Sequence, residues 1–336
     1  MATRKDVARR AGVSEATVSY TLSGKRTISA ATQERVRQAM AELGYQPHTL
    51  AQALAGGSSP VIAVLFPVAE RGISNADMEY VLGAAAAARE AGRHVLLWPT
   101  TGDDVTDVVA VHRSGLVGGV VLMEVLLDDR RVVDLTEAGV PCALIGRTGE
   151  ADGIPFVDRD FDASTELAVA HLAELGHRDV WFLSGPKRLV QRGFGAPVRA
   201  ERGFREACSR HGVRGSVRYA EALPEAGSRV AAAVLKAARR PSALVSLNVE
   251  ATLGLLQSAP HAGLAIPDEL SVVSIGVPEP WAAASEPPLT SISTPAAEMG
   301  ATALHQLIDL IGGGAETDRQ SLFSGELVAR GSTARR

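Results

Sequence analysis

From Val61 onward the chain alternates short apolar runs with helix-forming stretches, and this alternation restricts the fold more than any other feature of its 336 residues. The runs VIAVLFP, VLLWP, GVVLM and PCALIG are separated by amphipathic or alanine-rich segments over 76–91, 103–113 and 129–138. Strands that are apolar throughout belong in a parallel sheet with helices on both faces, because a half-exposed strand alternates apolar with polar residues. A second series follows the strand PFVD at 155–158: helix 162–176, strand 179–185, helix 199–211, a weak strand near Tyr219, helix 225–239, ALVSL, helix 249–257 and LSVVSIG at 270–276. The chain closes with LTSIS at 289–293, a helix over 295–311 and ELVARGS. The spacing predicts an α/β body of two lobes, each built on a parallel sheet.

The first 46 residues follow a different pattern. Thr3 and Asp6 have capping-box spacing, Val7, Ala8 and Ala11 form one inward stripe, and Gly12 ends the first helix, since a residue just past a helix end often needs positive φ. Ser14 caps a second helix running to about Leu22, with Val18 and Leu22 inward and Ala16, Ser19 and Tyr20 outward. A third helix starts at Ser29 and keeps Val36, Met40 and Leu43 on one face before Gly44. Thr3–Leu22 therefore reads as a helix-turn-helix, the alternative being a small helical hairpin packed on the body. Residues 1–60 carry eight basic and four acidic side chains, so this head is +4; the whole chain is −4, which leaves −8 on the remainder. Only the head has the electrostatic footprint of a polyanion partner.

KDVARRAGVSEATVSYTLSG followed by ISAATQERVRQAMAELGYQPHTLAQALAGG resembles the head and hinge of the LacI/GalR family of bacterial transcription regulators. HLAELGHRDVWFLSGP, GLAIPDELSVVSIG, EPPLTSI and ELVARGS agree with that family's body, a two-lobed fold like that of periplasmic binding proteins. The resemblance implies a helix-turn-helix head over 1–46, a hinge and linker over 47–59 and a body over 60–331, with lobe 1 at about 60–158 and 289–318 and lobe 2 at about 159–288 and 319–331. It implies a homodimer on a pseudo-palindromic operator, regulated, most often repressed, through a small-molecule effector held between the lobes. The second helix would lie in the major groove with Glu15, Ala16 and Tyr20 at the bases. Glu15 would accept from cytosine, Ala16 would meet a thymine methyl and Tyr20 would form one hydrogen bond. Thr3, Ser14, Thr17 and Ser19 would position the head on phosphates. Leu50, Ala51 and Leu54 share one face of the hinge, and Leu54 would enter the minor groove as a wedge; without the resemblance the same residues read as an ordinary helical turn on the body.

Several family positions are altered. Gly146 and Gly276-Val277 stand where acidic residues are expected, and Ala200 stands where an arginine is expected, with Arg199 beside it after a longer loop, QRGFGAPV. These changes predict a cleft poor in carboxylates and relatively richer in apolar and cationic groups, and a less hydroxylated or anionic metabolite as effector in place of a simple neutral sugar. Arg147 at a strand end, Asn248 and Arg199 remain as effector residues, with Trp98 and Trp281 as further candidates. Arg147 reads equally as an ion-pair partner, and the two tryptophans as core aromatics.

Other functions find little support in the sequence. There is no G-x-S-x-G, no P-loop and no G-x-G-x-x-G, so no enzyme is expected. Metal-ligand spacings are absent, and no cofactor is called for. Cys142 and Cys208 read as buried free thiols. No apolar run reaches the roughly 18 residues of a membrane span, and the chain opens on a capped helix instead of a signal segment, so a cytoplasmic location is expected. A secreted solute-binding protein would share the body, but its lack of a basic head counts against that alternative. No heptad tail follows the body, so a dimer is expected in place of a tetramer.

Overall fold

The computed structural model describes residues 2–23, 26–45, 59–67, 75–150, 153–314 and 319–336. The hinge residues Leu50, Ala51 and Leu54 lie outside that set. Three helices, α1 (Arg4–Ala11), α2 (Glu15–Ser23) and α3 (Ala30–Leu43), form the head. Val7, Val18 and Val36, one from each helix, are fully buried against one another, with Ala8, Ala11 and Ala39 filling the gaps between backbones. Leu22, Met40 and Leu43 pack around this core.

The body begins with β1 (Val61–Pro67), α4 (Asn75–Glu90), β2 (His94–Thr100), α5 (Thr106–Arg113), β3 (Gly119–Leu122), α6 (Arg130–Glu137), β4 (Cys142–Ile145) and β5 (Phe156–Arg159). It crosses to a second lobe through α7 (Phe161–Glu174), β6 (Asp179–Ser184), α8 (Lys187–Arg192), α9 (Gly195–Arg210), β7 (Arg214–Tyr219), α10 (Pro224–Lys236), β8 (Ala243–Ser246), α11 (Val249–Ala262), β9 (Ser271–Ser274), α12 (Glu279–Ala284) and β10 (Thr290–Ser293). The chain returns with α13 (Ala296–Ile311) and β11 (Gln320–Phe323) and finishes in lobe 2 with β12 (Glu326–Val328). The sheets run β11-β5-β4-β3-β1-β2 and β12-β10-β9-β8-β6-β7. All pairings are parallel except β10 with β12. β3, β4, β8 and β9 are buried along their whole length, as strands covered on both faces must be.

Two lobe boundaries differ from expectation. β10 belongs to lobe 2, because it lies parallel beside β9 and is joined to it by the short α12. β11 belongs to lobe 1, where it pairs with β5. The body also extends past residue 331: Ser332 is buried, its backbone carbonyl accepts from Val272 at 2.8 Å, and the Arg336 N–H donates to Leu175 at 2.8 Å. His171 and His177 hold this tail through Thr333 at 3.1 Å and the carbonyl of Ala334 at 3.0 Å.

Each lobe has one helix pair whose backbones nearly touch. A Cβ on Gly300 of α13 would sit 2.0 Å from the Tyr80 carbonyl of α4, and one on Gly254 of α11 would sit 1.9 Å from the Pro224 carbonyl of α10. Glycine allows these crossings, and the first fixes the height of Tyr80 at the rim of the space between the lobes. Cys142 and Cys208 are free, buried and in different lobes. No helix among the described residues is long and apolar enough to cross a membrane, and none of their His, Cys, Asp and Glu side chains cluster to hold a metal ion.

Candidate functional site

The head presents one exposed face of α2. The Ser14 hydroxyl accepts from the Thr17 N–H at 3.1 Å, which caps the helix and leaves Glu15 and Ala16 at its exposed start. Tyr20, one turn on from Ala16, is exposed, and the Arg26 guanidinium lies 5.8 Å from its ring centre. Ser19 is half-buried beside it. Glu15 is not isolated: Arg4 of α1 approaches its carboxylate to 3.8 Å. Thr3 is exposed but occupied, its hydroxyl and N–H both donating to Asp6, at 2.6 and 3.0 Å. The Thr3 hydroxyl bond is the main reason the Asp6 carboxyl lies below its usual range.

The strand ends of the two lobes face each other across a cleft of about 180 Å³ adjoining an inner space of about 80 Å³, with Tyr80, Arg159, Phe161 and Phe194 walling both. Asp77 and Tyr80 of α4, Glu124 after β3 and Arg159 of β5 come from lobe 1. Lobe 2 supplies Phe161, Phe194, Asn248 and Glu250. Arg159 ties the lobes together by donating to the carbonyl of Ile275 and to Tyr80. Burial, the larger influence, raises the Tyr80 hydroxyl above its ordinary range despite the nearby guanidinium.

Glu124 is the only non-glycine among the described residues with positive φ, at 53°. An L-residue in that conformation costs about 1–3 kcal/mol and persists where its surroundings hold it. Here the holder is Arg131, whose Nη2 donates to the Glu124 carbonyl at 2.8 Å while its guanidinium meets Asp129 at 2.6 and 2.9 Å. Both partners are almost wholly buried, and Asp129 also accepts from the Leu126 N–H and caps α6.

Of the five residues assigned to the effector from sequence, the structure brings Arg147 and Arg199 together on Asp158. Arg147 Nε is 3.2 Å and Arg199 Nη1 3.6 Å from the same carboxylate oxygen. Arg199 also donates to the carbonyls of Arg147 and Thr148 at 2.9 and 2.7 Å, so it spans the lobes instead of pointing into open space. Burial outweighs both guanidinium groups and pushes the Asp158 carboxyl up to about 6. Asn248 lines the cleft, but its side chain is committed: Oδ1 caps α11 through the Ala251 N–H at 3.1 Å, and Nδ2 donates to the carbonyls of Ser184, Ala220 and Glu221. Trp98 packs against the lobe 1 core from edge strand β2, and Trp281 is exposed on α12; neither lines the cleft. The expectation of a carboxylate-poor cleft is corrected, since Asp77, Glu124 and Glu250 supply acids from elements other than the two glycine-bearing strand ends. The signal for Glu124 was its place directly after the run VVLM.

The loop QRGFGAPV closes one side of the cleft. The Leu127 N–H donates to Gly193 at 2.8 Å and the Gly195 N–H to Val125 at 2.9 Å, making a two-residue antiparallel bridge between the lobes. Leu126, Leu189 and Phe194 form a small apolar cluster under it, and Arg192 reaches Asp103 at 2.7 Å.

Residues 3–48 match the sequence family described as bacterial regulatory proteins, lacI family, and residues 169–333 match a periplasmic binding protein-like domain. The HTH-type transcriptional regulator MalR of Streptomyces coelicolor is 33% identical over 341 residues, covering 98% of this chain and 96% of that protein. The chain belongs to the LacI family. The HTH-type transcriptional regulator reg1 of Streptomyces lividans is 34% identical over 348 residues, with 98% and 96% covered. A crystal structure of the lac repressor dimer bound to operator and the anti-inducer ONPF aligns at a TM-score of 0.81 and 27% identity over 99% of each chain. A complex of the transcriptional regulator CelR with cellobiose aligns at 0.70 and 27% identity, covering 99% of this chain and all of that one. As a LacI-family member the chain is a DNA-binding transcriptional regulator with an effector-binding body and not an enzyme.

Proposed function

We propose that this LacI-family chain is a repressor that grips a two-fold operator as a homodimer, and that a small polyhydroxylated ligand in the interlobe cleft controls the grip. The observation that carries the ligand reading is the lining of the cleft. Asp77, Glu124 and Glu250 offer acceptors to hydroxyl groups, Arg159 offers donors, and Tyr80, Phe161 and Phe194 offer ring faces to the apolar side of a sugar ring. A hydroxyl-rich ligand buried without such partners would lose about 1–3 kcal/mol per unmatched group. The two spaces together stay below the roughly 300 Å³ of an ordinary drug-sized pocket, which favours a ligand of one or two rings. The cellobiose complex of CelR supports the same class.

On the DNA side, Glu15, Ala16 and Tyr20 read bases, and Ser14, Thr17 and Ser19 seat the helix on phosphates. Thr3, its hydroxyl committed to Asp6, contributes through its place at the start of α1. Leu54, with Leu50 and Ala51, acts as the minor-groove wedge. Exposed Leu82 on α4, Leu96 and Leu97 on β2, and Leu223 and Trp281 on lobe 2 supply the apolar surface for a second protomer. The dimeric lac repressor complex supports that arrangement.

Operator binding measured by anisotropy against a panel of neutral mono- and disaccharides, sugar acids and aromatic acids tests the reading. A neutral sugar is expected to change operator affinity, and Arg159→Ala and Glu124→Gln are expected to lose the response while still binding operator. A response confined to anionic or aromatic compounds overturns the polyol assignment.

A further inference from the structure

Among the described residues, a second concave surface is larger than the cleft. It is a groove on the outer side of lobe 2, where α10 leaves the last strand of the sheet uncovered. Two adjoining hollows of about 510 and 430 Å³ run along β7 and share Trp181, Arg218 and Ala233. The parallel register places Trp181 and Leu183 of β6 on the same face as Ser216 and Arg218 of β7. The Arg218 guanidinium carbon lies 4.2 Å from the Trp181 ring centre, and α10 forms the opposite wall with Ala226, Arg229, Ala233 and Lys236. Among the described residues β7 ends the sheet, with no strand paired to its outer edge.

The charge of the groove opposes that of the body around it. Its two acids are already matched, Asp179 by Arg214 and Arg239, and Glu221 by Arg188. Among the described residues, exposed Lys187, Arg218, Arg229 and Lys236 have no carboxylate partner, on a body that carries −8 overall. Charged side chains on an edge strand also serve to discourage pairing with other chains. That role alone does not account for a recessed floor of tryptophan, nor for cations on the facing helix. The corresponding edge of lobe 1, β2, exposes Leu96 and Leu97 and presents no lysine or arginine.

We propose that this groove binds an extended acidic segment of another protein, which adds as a strand to the free edge of β7 with its carboxylates on the groove face, between Arg218 and the α10 cations, and its alternate apolar side chains on the opposite face of the sheet, beside Val217. Strand addition supplies affinity through the backbone, and alternate side chains supply selectivity. The groove meets the mouth of the cleft at Pro186, which lines both, and includes no residue of the head.

The test uses the full chain and a fluorescein-labelled peptide of alternating Glu and Val, followed by anisotropy. Saturable binding is expected, weakened about tenfold or more by Arg229→Glu with Lys236→Glu, two exposed substitutions on α10 that leave the core intact. Arg218→Glu should weaken it as well. The same peptide methylated at alternate backbone nitrogens keeps its charge and cannot pair as a strand, so its binding should be lost. Equal binding by the methylated peptide, or indifference to the α10 double substitution, overturns the proposal. So does finding that a single-stranded oligonucleotide, and not the peptide, is the probe whose affinity falls in the double variant, or that the variant abolishes self-association of the chain, which would assign the groove to nucleic acid or to a second copy.

Discussion

Glu124 holds its strained backbone because a buried cation is spent on its carbonyl. Replacing Arg131 by Met removes that cation and leaves the Asp129 carboxylate buried with only N–H partners. The unfolding free energy is therefore expected to fall by about 3–5 kcal/mol in urea denaturation. A loss under about 1 kcal/mol would mean that the loop after β3 is held by other contacts. Asp158 gives a pH signature. Burial pushes its carboxyl up to about 6 in the folded protein, above the ordinary aspartate range, so the native state holds this proton more tightly than the unfolded chain does. The stabilisation is complete below the unfolded value and is lost as pH rises through about 6. Wild type is expected to lose stability between about pH 4 and 6.5 relative to Asp158→Asn, and parallel pH profiles for the two proteins would refute this. At this scale the sequence was only partly legible. Arg199 and Asn248 were placed near the cleft, but their polar atoms turn out to be bound to the protein's own backbone, which no spacing rule reveals. Glu124 and Asp77 were missed because acids were sought only at Gly146 and at 276–277, and Arg159 because cations were sought only at Arg147 and around Ala200.

Every strand of the body up to β10 was visible as an apolar run or a weak strand; ELV of β12 was marked only by the family likeness of ELVARGS, and QSLF of β11, half-exposed and without a continuous apolar signal, was not marked at all. β11 pairs with β5, more than a hundred residues earlier, which no local pattern shows, and β10 stays with β9 just before it, where a return crossing to lobe 1 was expected instead. The loop QRGFGAPV was legible as an insertion but not as a strap. Gly195 is its tightest point, since an added Cβ would lie 2.3 Å from Arg199 Nη1 and 3.2 Å from the Val125 carbonyl. Gly195→Ala is expected to push Arg199 off its two carbonyls and to loosen the bridge. Amide hydrogen exchange at Leu127 and Gly195 should then quicken by about tenfold or more while exchange in β8 and β9 stays slow. Unchanged exchange at the bridge would show that Arg199 yields without cost and that the strap does not depend on it.

The charge division between head and body belongs to the whole molecule. A +4 head on a −8 remainder concentrates attraction for DNA in a small part of the surface, and a dimer doubles it. If about half of the eight cations in each head meet phosphates, log K should fall against log salt with a slope of roughly −7. An affinity indifferent to salt, or protection of a single unsymmetrical half-site in footprinting, would refute the dimeric reading. The wedge proposed at Leu54 makes a separable demand. Unstacking a base step costs a few kcal/mol, offset only where bent operator brings both heads into register, so the wedge contributes to the specific complex and not to loose binding along DNA. Leu54→Ala is therefore expected to weaken specific operator binding by more than about 1 kcal/mol, roughly fivefold or more, with nonspecific affinity and its salt slope nearly unchanged. Operator bending, read by energy transfer between end labels, should fall in the same variant. If the variant bends its operator as the wild type does, the wedge is not Leu54, and the coupling between body and head must run through the other residues of the 47–59 segment.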